Sequence, residues 1–358
     1  CILARLIMMI VCVATVAALG LTPHPLRLSV LRPRLPPRQS LLATASFVPT
    51  FGEDQWWLDD PVARGREPPR GVRRDLALVA VVSSLCVASI VQLSLSGTLQ
   101  WTASTADVAT SQLAARWVLA VWRIVAAVGC SVLTVARCSV SSVGSFEDLD
   151  RRLLPFRTRG IWRFQGLTGW SWLLINAYFV LTAVITLAPT SPAPSLVAVL
   201  SQVMLGTAFA FALLVTAVVS FVLIPQRLAK APANREFFRP QPLIMHNANV
   251  ALMGTEICLS TLRVPLAQLP FALLFGIGYL AWHNTWRYRT TRTVLYFFLN
   301  WERDDALQVL VCLLALFGGC YTLGYAVSSH LRPHLAGRAC LALALVAIMR
   351  VRAPRAVD

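Results

Sequence analysis

Charge is what this sequence has least of: 13% of its 358 residues are Asp, Glu, Lys or Arg, against about 25% in a soluble domain. That deficit excludes a surface that faces only water. Lysine is almost absent, with Lys230 alone among the basic residues not being arginine. The sequence also has no G-x-x-x-x-G-K-[ST], no G-x-S-x-G and no H-E-x-x-H, which removes the P-loop, nucleophile-elbow and zincin readings. None of its nine cysteines forms C-x-x-C, and no histidine stands at zinc-finger spacing. Neither a metal site nor a disulfide framework is implied, and no cofactor.

What is present is apolar, at 57% of the chain, with a net charge of +16. Such a charge can mark a nucleic-acid binder. Here the arginines fall in clusters between apolar runs, where membrane topology puts them, so nucleic acid is not an expected partner. Membrane lipids are.

Residues 2–20 are apolar apart from Arg5, the length of a signal peptide or signal anchor. Residues 21–50 carry Arg27, Arg32, Arg34 and Arg38 and no acid, a transit-segment composition. Leader and segment together (1–50), with Ser46-Phe47-Val48-Pro49, are similar to the bipartite leaders of secondary plastids. Endomembrane, plasma membrane and plastid membrane all stay open as destinations. Residues 51–75 are polar and rich in Pro and Gly and read as a linker.

The fold expected is all-α, a polytopic transmembrane helix bundle. Its spans are 76–96, 117–136, 168–188, 196–224, 243–262, 267–286 and 306–328. The first is an extra span, and 117–328 is a six-span core. In the tail, 329–358, residues 339–349 are apolar but shorter than the roughly 20 residues a crossing helix needs. Loops 137–165, 225–242 and 287–305 are rich in Arg, whereas 189–195 has no basic residue and 263–266 has only Arg263. Rich and poor alternate, so the three rich loops lie on one side, cytosolic or stromal. The alternation also requires 243–262 to cross, although it holds His246, Asn247, Asn249 and Glu256.

A polar group inside a bilayer must be paired or functional. Arg123 lies near the middle of the second span and Glu256 within the fifth, so pairing across the bundle would neutralise both. Otherwise Arg123 snorkels and Glu256 is protonated or faces a water-filled cavity. Thr168 and His246 each open a span at its Arg-flanked end, hence at similar depth on one side. A Thr hydroxyl becomes a nucleophile only beside a base, and His is the natural base. The plainer reading makes Thr168 an N-cap and His246 a solvated interfacial group. Asn176 and Asn249 read as interhelical hydrogen-bonding groups, Gly318-Gly319 as a close-packing site, and Trp170, Trp172, Trp282 and Trp286 as an aromatic belt. His283 reads as interfacial.

From about 116 to 330 the chain resembles the rolling stone family of multi-pass membrane proteins. The resemblance is carried by Leu167-Thr168-Gly169-Trp170-Ser171-Trp172 through Tyr178-Phe179, by His246, Asn249, Glu256 and Pro265, by Leu274-Phe275-Gly276 to Tyr279, and by Tyr296 to Trp301. That family looks distantly related to the androgen-induced membrane proteins that hydrolyse fatty acid esters of hydroxy fatty acids with a Thr nucleophile and a His. The resemblance puts Thr168 and His246 on those roles. Apart from the resemblance, Asn247 or Asn249 is the oxyanion donor expected for such a pair. It departs where the hydrolases follow their His with Thr-Thr, since Asn247-Ala248 stands here. The implied activity is hydrolysis of a lipid acyl ester. A non-enzymatic scaffold or adhesion protein and a small-solute transporter using Arg123 and Glu256 are the other classes.

Overall fold

The computed structural model describes residues 50–51, 72–95, 103–148, 153–230, 236–284, 293–301, 303 and 305–351. The leader, most of the linker, Trp286 and the last residues of the tail lie outside the described residues.

The helices are α1 (Val72–Leu95), α2 (Thr105–Ala109), α3 (Arg116–Ser139), α4 (Leu167–Leu187), α5 (Leu196–Val218), α6 (Ile224–Lys230), α7 (Pro240–Leu259), α8 (Leu269–Trp282), α9 (Ala306–Ala326) and α10 (Leu335–Ile348). Among the described residues, four helical stretches are long and apolar enough to cross a membrane: 116–139, 167–187, 196–228 and 306–331. The chain is an integral membrane protein built on a helical bundle.

The sequence explains the order of burial. In the run 196–218 there is no charge and no proline, and Ser195 caps its start by accepting from the Ala198 N–H. This helix packs against α4, α7, α8 and α9. Its apolar window is 83% buried, against 33% for α3 and 28% for α9, so α5 is the axis and the other two face lipid. On α3 the exposed residues Val121, Val125, Val128, Val132 and Val135 form one face. Leu119, Ala120, Arg123, Ala126, Ala127 and Cys130 form the other.

Helices α5 and α9 end in the same way. Each passes into one π turn, Val219–Leu223 and Val327–Leu331, and each turn stands two residues before a proline, Pro225 and Pro333. A proline in a helix has no N–H and clashes with the carbonyl four residues back. The wider i→i+5 turn relieves both. The bonds run from the Ile224 N–H to the Val219 carbonyl and from the Arg332 N–H to the Val327 carbonyl.

Several expectations need correction. The 137–165 stretch is not all loop, so the described chain is not wholly helical. It carries the hairpin β2 (Ser142–Asp148) and β3 (Leu153–Thr158), flanked by β1 (Thr50–Phe51) and β4 (Thr293–Val294) in a sheet ordered β1-β3-β2-β4. Val72 begins α1 inside the stretch read as linker. Pro240 begins α7 before the expected 243, because proline in the first helical turn gives up no hydrogen bond.

The segment read as too short to cross is a helix that runs back along α7. Arg332 donates to the carbonyls of Ser260, Thr261 and Leu262 at one end. Leu345 packs on Gly254 midway, and Arg350 meets Asn247 at the other end. A helix of 14 residues is about 21 Å long, and the segment after it extends that reach.

Gly318 and Gly319 are not a close-packing site, since no heavy atom lies within 4 Å of a Cβ built on either. Close approaches between helices occur at Gly206, where a built Cβ would stand 2.9 Å from Val264 and 3.0 Å from Tyr321, and at Gly324, where it would stand 3.0 Å from Phe209. Of the tryptophans expected in a belt, Trp172 is 2% exposed and so faces the bundle, and the half-buried Trp170 packs on Phe275, Tyr279 and Trp282.

Candidate functional site

Two polar centres sit in the bundle, near opposite ends of α7. The first holds Arg123 and Glu256, both fully buried. Arg123 Nε and Nη2 donate to Glu256 Oε1 at 3.1 and 2.6 Å. Tyr178 donates to the same oxygen at 2.8 Å, and Trp122 Nε1 donates to Oε2 at 3.0 Å. Arg123 Nη1 donates to the carbonyl of Val108 and to Thr186 Oγ1, each at 2.7 Å.

The expected pairing is therefore present, with a closed shell around it. Helix α2 supplies the Val108 carbonyl and plugs this end of the bundle, held by a reciprocal Ser104–Asp107 capping box. Arg123 is not at mid-span: it lies seven residues from Arg116, about 10 Å along the helix. That end belongs to the loops poor in arginine. Tyr178, Trp122 and Thr186 are the functional neighbours that sequence reasoning missed. The Tyr178-Phe179 pair gave no sign that its hydroxyl would be aimed at Glu256.

The second centre lies at the arginine-rich end. Thr168 Oγ1 stands 3.5 Å from His246 Nδ1. Leu167 begins α4, and Gly166 is its N-cap, with no side chain to cap it. Thr168 is therefore the second residue of the helix and not its cap, which removes the plainer reading of that residue. The cap comes instead from Tyr296, 129 residues away, whose hydroxyl accepts from the Leu167 N–H at 3.2 Å. Thr168, the next residue, favours the ionised form of the same phenol through its N–H and hydroxyl. Burial pushes the Tyr296 phenol above its ordinary pKa, and these donors partly offset the rise.

Local packing fixes this geometry. A Cβ on Gly169 would stand 2.6 Å from the Phe164 backbone, so the 3-10 turn Gly160–Phe164 lies directly against the first turn of α4. The hydroxyl of Thr216, on α5, approaches both the His246 carbonyl (2.6 Å) and Asn249 Oδ1 (3.0 Å). This contact sets the rotation of α7 that points His246 at Thr168. The His246 ring also packs on Phe237, with centroids 5.7 Å apart.

Thr168 and Tyr296 line a cavity of about 90 Å³ whose other walls are apolar, among them Phe211, Leu214, Val215 and Val219. That is smaller than the roughly 150 Å³ apolar cavity that takes benzene. It fits the carbonyl end and the first methylenes of an acyl chain, not a whole one.

The two asparagines do not join the pair. Asn247 turns away from it, donating to the Leu243 and Arg350 carbonyls and accepting from the Arg350 N–H. It clamps the chain after α10. Asn249 accepts from Thr216 and from the Val250 N–H, and neither asparagine lines the cavity. Asn249 thus takes the expected interhelical role, as does Asn176, whose Oδ1 accepts from Ser131 at 3.0 Å. His283 is not interfacial. It is 1% exposed, and its Nε2 accepts from the Leu295 N–H at 3.4 Å, tying the β4 segment to α8.

No family model matches this chain, and no curated protein and no solved structure is detectably similar to it.

Proposed function

We propose that this chain hydrolyses lipid acyl esters within the membrane, with Thr168 as nucleophile and His246 as base. The observation that carries the proposal is the Thr168–His246 contact at 3.5 Å, with Thr168 itself lining an apolar cavity and His246 standing behind it. A catalytic hydrogen bond that is long in the empty site and tightens with substrate is ordinary.

Thr168 Oγ attacks the acyl carbon while its proton passes to His246 Nδ1, which requires the tautomer with hydrogen on Nε2. The carbonyl electron pair moves onto oxygen. When the tetrahedral adduct collapses, the bond to the alcohol breaks and His246 returns the proton to the leaving oxygen. Water then attacks the acyl-threonine with His246 again as base. The apolar walls take the acyl end, and the rest of the chain extends into the bilayer.

The rolling stone resemblance supports this reading through the same two residues. We also read the apolar segments as seven crossings, with α10 as a return toward the arginine-rich side. The transporter alternative needs a hydrated charge, whereas the Arg123 and Glu256 side chains are each 0% exposed and bonded to one another.

The test is labelling of membranes that express the chain with a fluorophosphonate, which traps activated hydroxyls. Labelling is expected in the wild type, and Thr168→Ala and His246→Ala are expected to abolish it at normal expression. A folded, well-expressed protein that takes no label overturns the proposal in favour of a scaffold or adhesion role.

A further inference from the structure

The hydrolase reading needs a group to hold the oxyanion, and the two asparagines first considered for it do not line the cavity. Tyr296 does. Its hydroxyl already accepts from the Leu167 N–H in the first turn of α4. That donor carries the positive end of the helix dipole. Each bond accepted by the phenol oxygen draws electron density from it and strengthens its own O–H as a donor. The ring is held in place by stacking on Phe298, with centroids 5.1 Å apart and an interplanar angle of 2°, and Phe298 is also a cavity wall.

We infer that Tyr296 is a further catalytic residue, whose hydroxyl donates to the oxyanion formed when Thr168 attacks the acyl carbonyl. The inference rests on the hydrolase reading above. The phenol oxygen bonds the N–H of Leu167, the residue next to Thr168, and Thr168 and Tyr296 line the same cavity. A carbonyl oxygen brought to the carbon that Thr168 attacks therefore arrives close to the Tyr296 proton, on the cavity side. Nothing covalent happens at Tyr296: its O–H bond stays intact, and the hydrogen bond shortens as charge collects on the former carbonyl oxygen. A donor aimed at developing charge in a dry site contributes more to the transition state than to the bound ester. This arrangement gives one hydroxyl two tasks. It caps the helix that carries the nucleophile, and it faces the charge that nucleophile creates.

The test is hydrolysis of a long-chain fatty acyl p-nitrophenyl ester by the purified full chain in mixed micelles. Tyr296→Phe keeps the ring and its stacking and loses the hydroxyl. The expected result is a fall in kcat of about 10²–10³-fold with KM little changed. Wild-type kcat in a folded Tyr296→Phe protein overturns the role. Because the substitution also uncaps α4, a second variant carries 3,5-difluorotyrosine at 296, which keeps every contact and makes the phenol more acidic. The alkaline limb of kcat should then move to lower pH, a change a purely structural cap would not produce, and an unmoved limb also overturns the role. A wild type that neither hydrolyses the ester nor takes the fluorophosphonate label refutes the underlying reading instead, so the two failures are distinct.

Discussion

Replacing Glu256 with Ala should be among the most destabilising single changes in this protein. The carboxylate accepts four hydrogen bonds, two from Arg123 and one each from Tyr178 and Trp122. Its removal leaves a guanidinium buried with no counter-charge, which costs about 3–5 kcal/mol. Tyr178 and Trp122 each lose an acceptor as well, and a buried orphan donor costs roughly 1–3 kcal/mol. These costs overlap, so the smaller figure for the pair is the safer one. Even that is a large fraction of a folding stability of about 5–15 kcal/mol. Arg123→Ala should be comparably damaging, because it leaves the carboxylate uncompensated. The double variant Arg123→Leu with Glu256→Leu removes both charges together and should recover most of the loss, with a coupling energy of about 2 kcal/mol or more. Reversible chemical unfolding of the purified protein in mixed micelles measures all three. If the double variant is as unstable as the sum of the single ones, the two charges do not neutralise one another and the reasoning fails.

The remaining expectations concern the other centre and its supports. Gly169→Ala places a methyl against the Phe164 backbone; it should cost about 1–3 kcal/mol by overpacking and lower hydrolysis with it, both read on the same purified variant. Asn247→Ala releases the Arg350 backbone, so a cysteine placed at Val351 should react faster with a thiol reagent while the Thr168→Ala phenotype is not reproduced. Burial raises the Tyr296 phenol in the folded chain. The unfolded chain therefore loses that proton first, and the stability is lost as pH rises past about 10. Melting curves between neutral and strongly alkaline pH should show a smaller loss in Tyr296→Phe than in wild type.

The physics of a bilayer made parts of this arrangement legible in the sequence. A lone charge in hydrocarbon is costly enough that Arg123 and Glu256 could be paired without a structure. The alternation of arginine between loops was enough to put Thr168 and His246 on one side. What stayed hidden was whatever the bilayer does not constrain. Tyr296 sits in a loop segment that could have capped any helix end or none. Asn247 differs from His246 by one position, which is about 100° around a helix, and only the placement of α10 shows that its partner is Arg350. The length rule says that α10 is short for a crossing, and it says nothing of the packing of α10 along α7. The strands at 142–148 and 153–158 lie between two apolar spans in a stretch whose arginines mark it only as a connection.

The π turn at Val219–Leu223 was introduced as an answer to Pro225, but its geometric effect falls on the cavity. Along a plain α-helix, positions four apart drift sideways by about 40° at each step. Phe211, Val215, Val219 and Leu223 all line the cavity, three such steps in succession. A wider turn rotates less per residue and so takes back part of the accumulated drift, leaving these side chains as one straight seam. Deleting a single residue from that turn would return it to a plain i→i+4 turn and restore the clash between the proline and the carbonyl four residues back, so the length of this short stretch is under a tighter constraint than its composition.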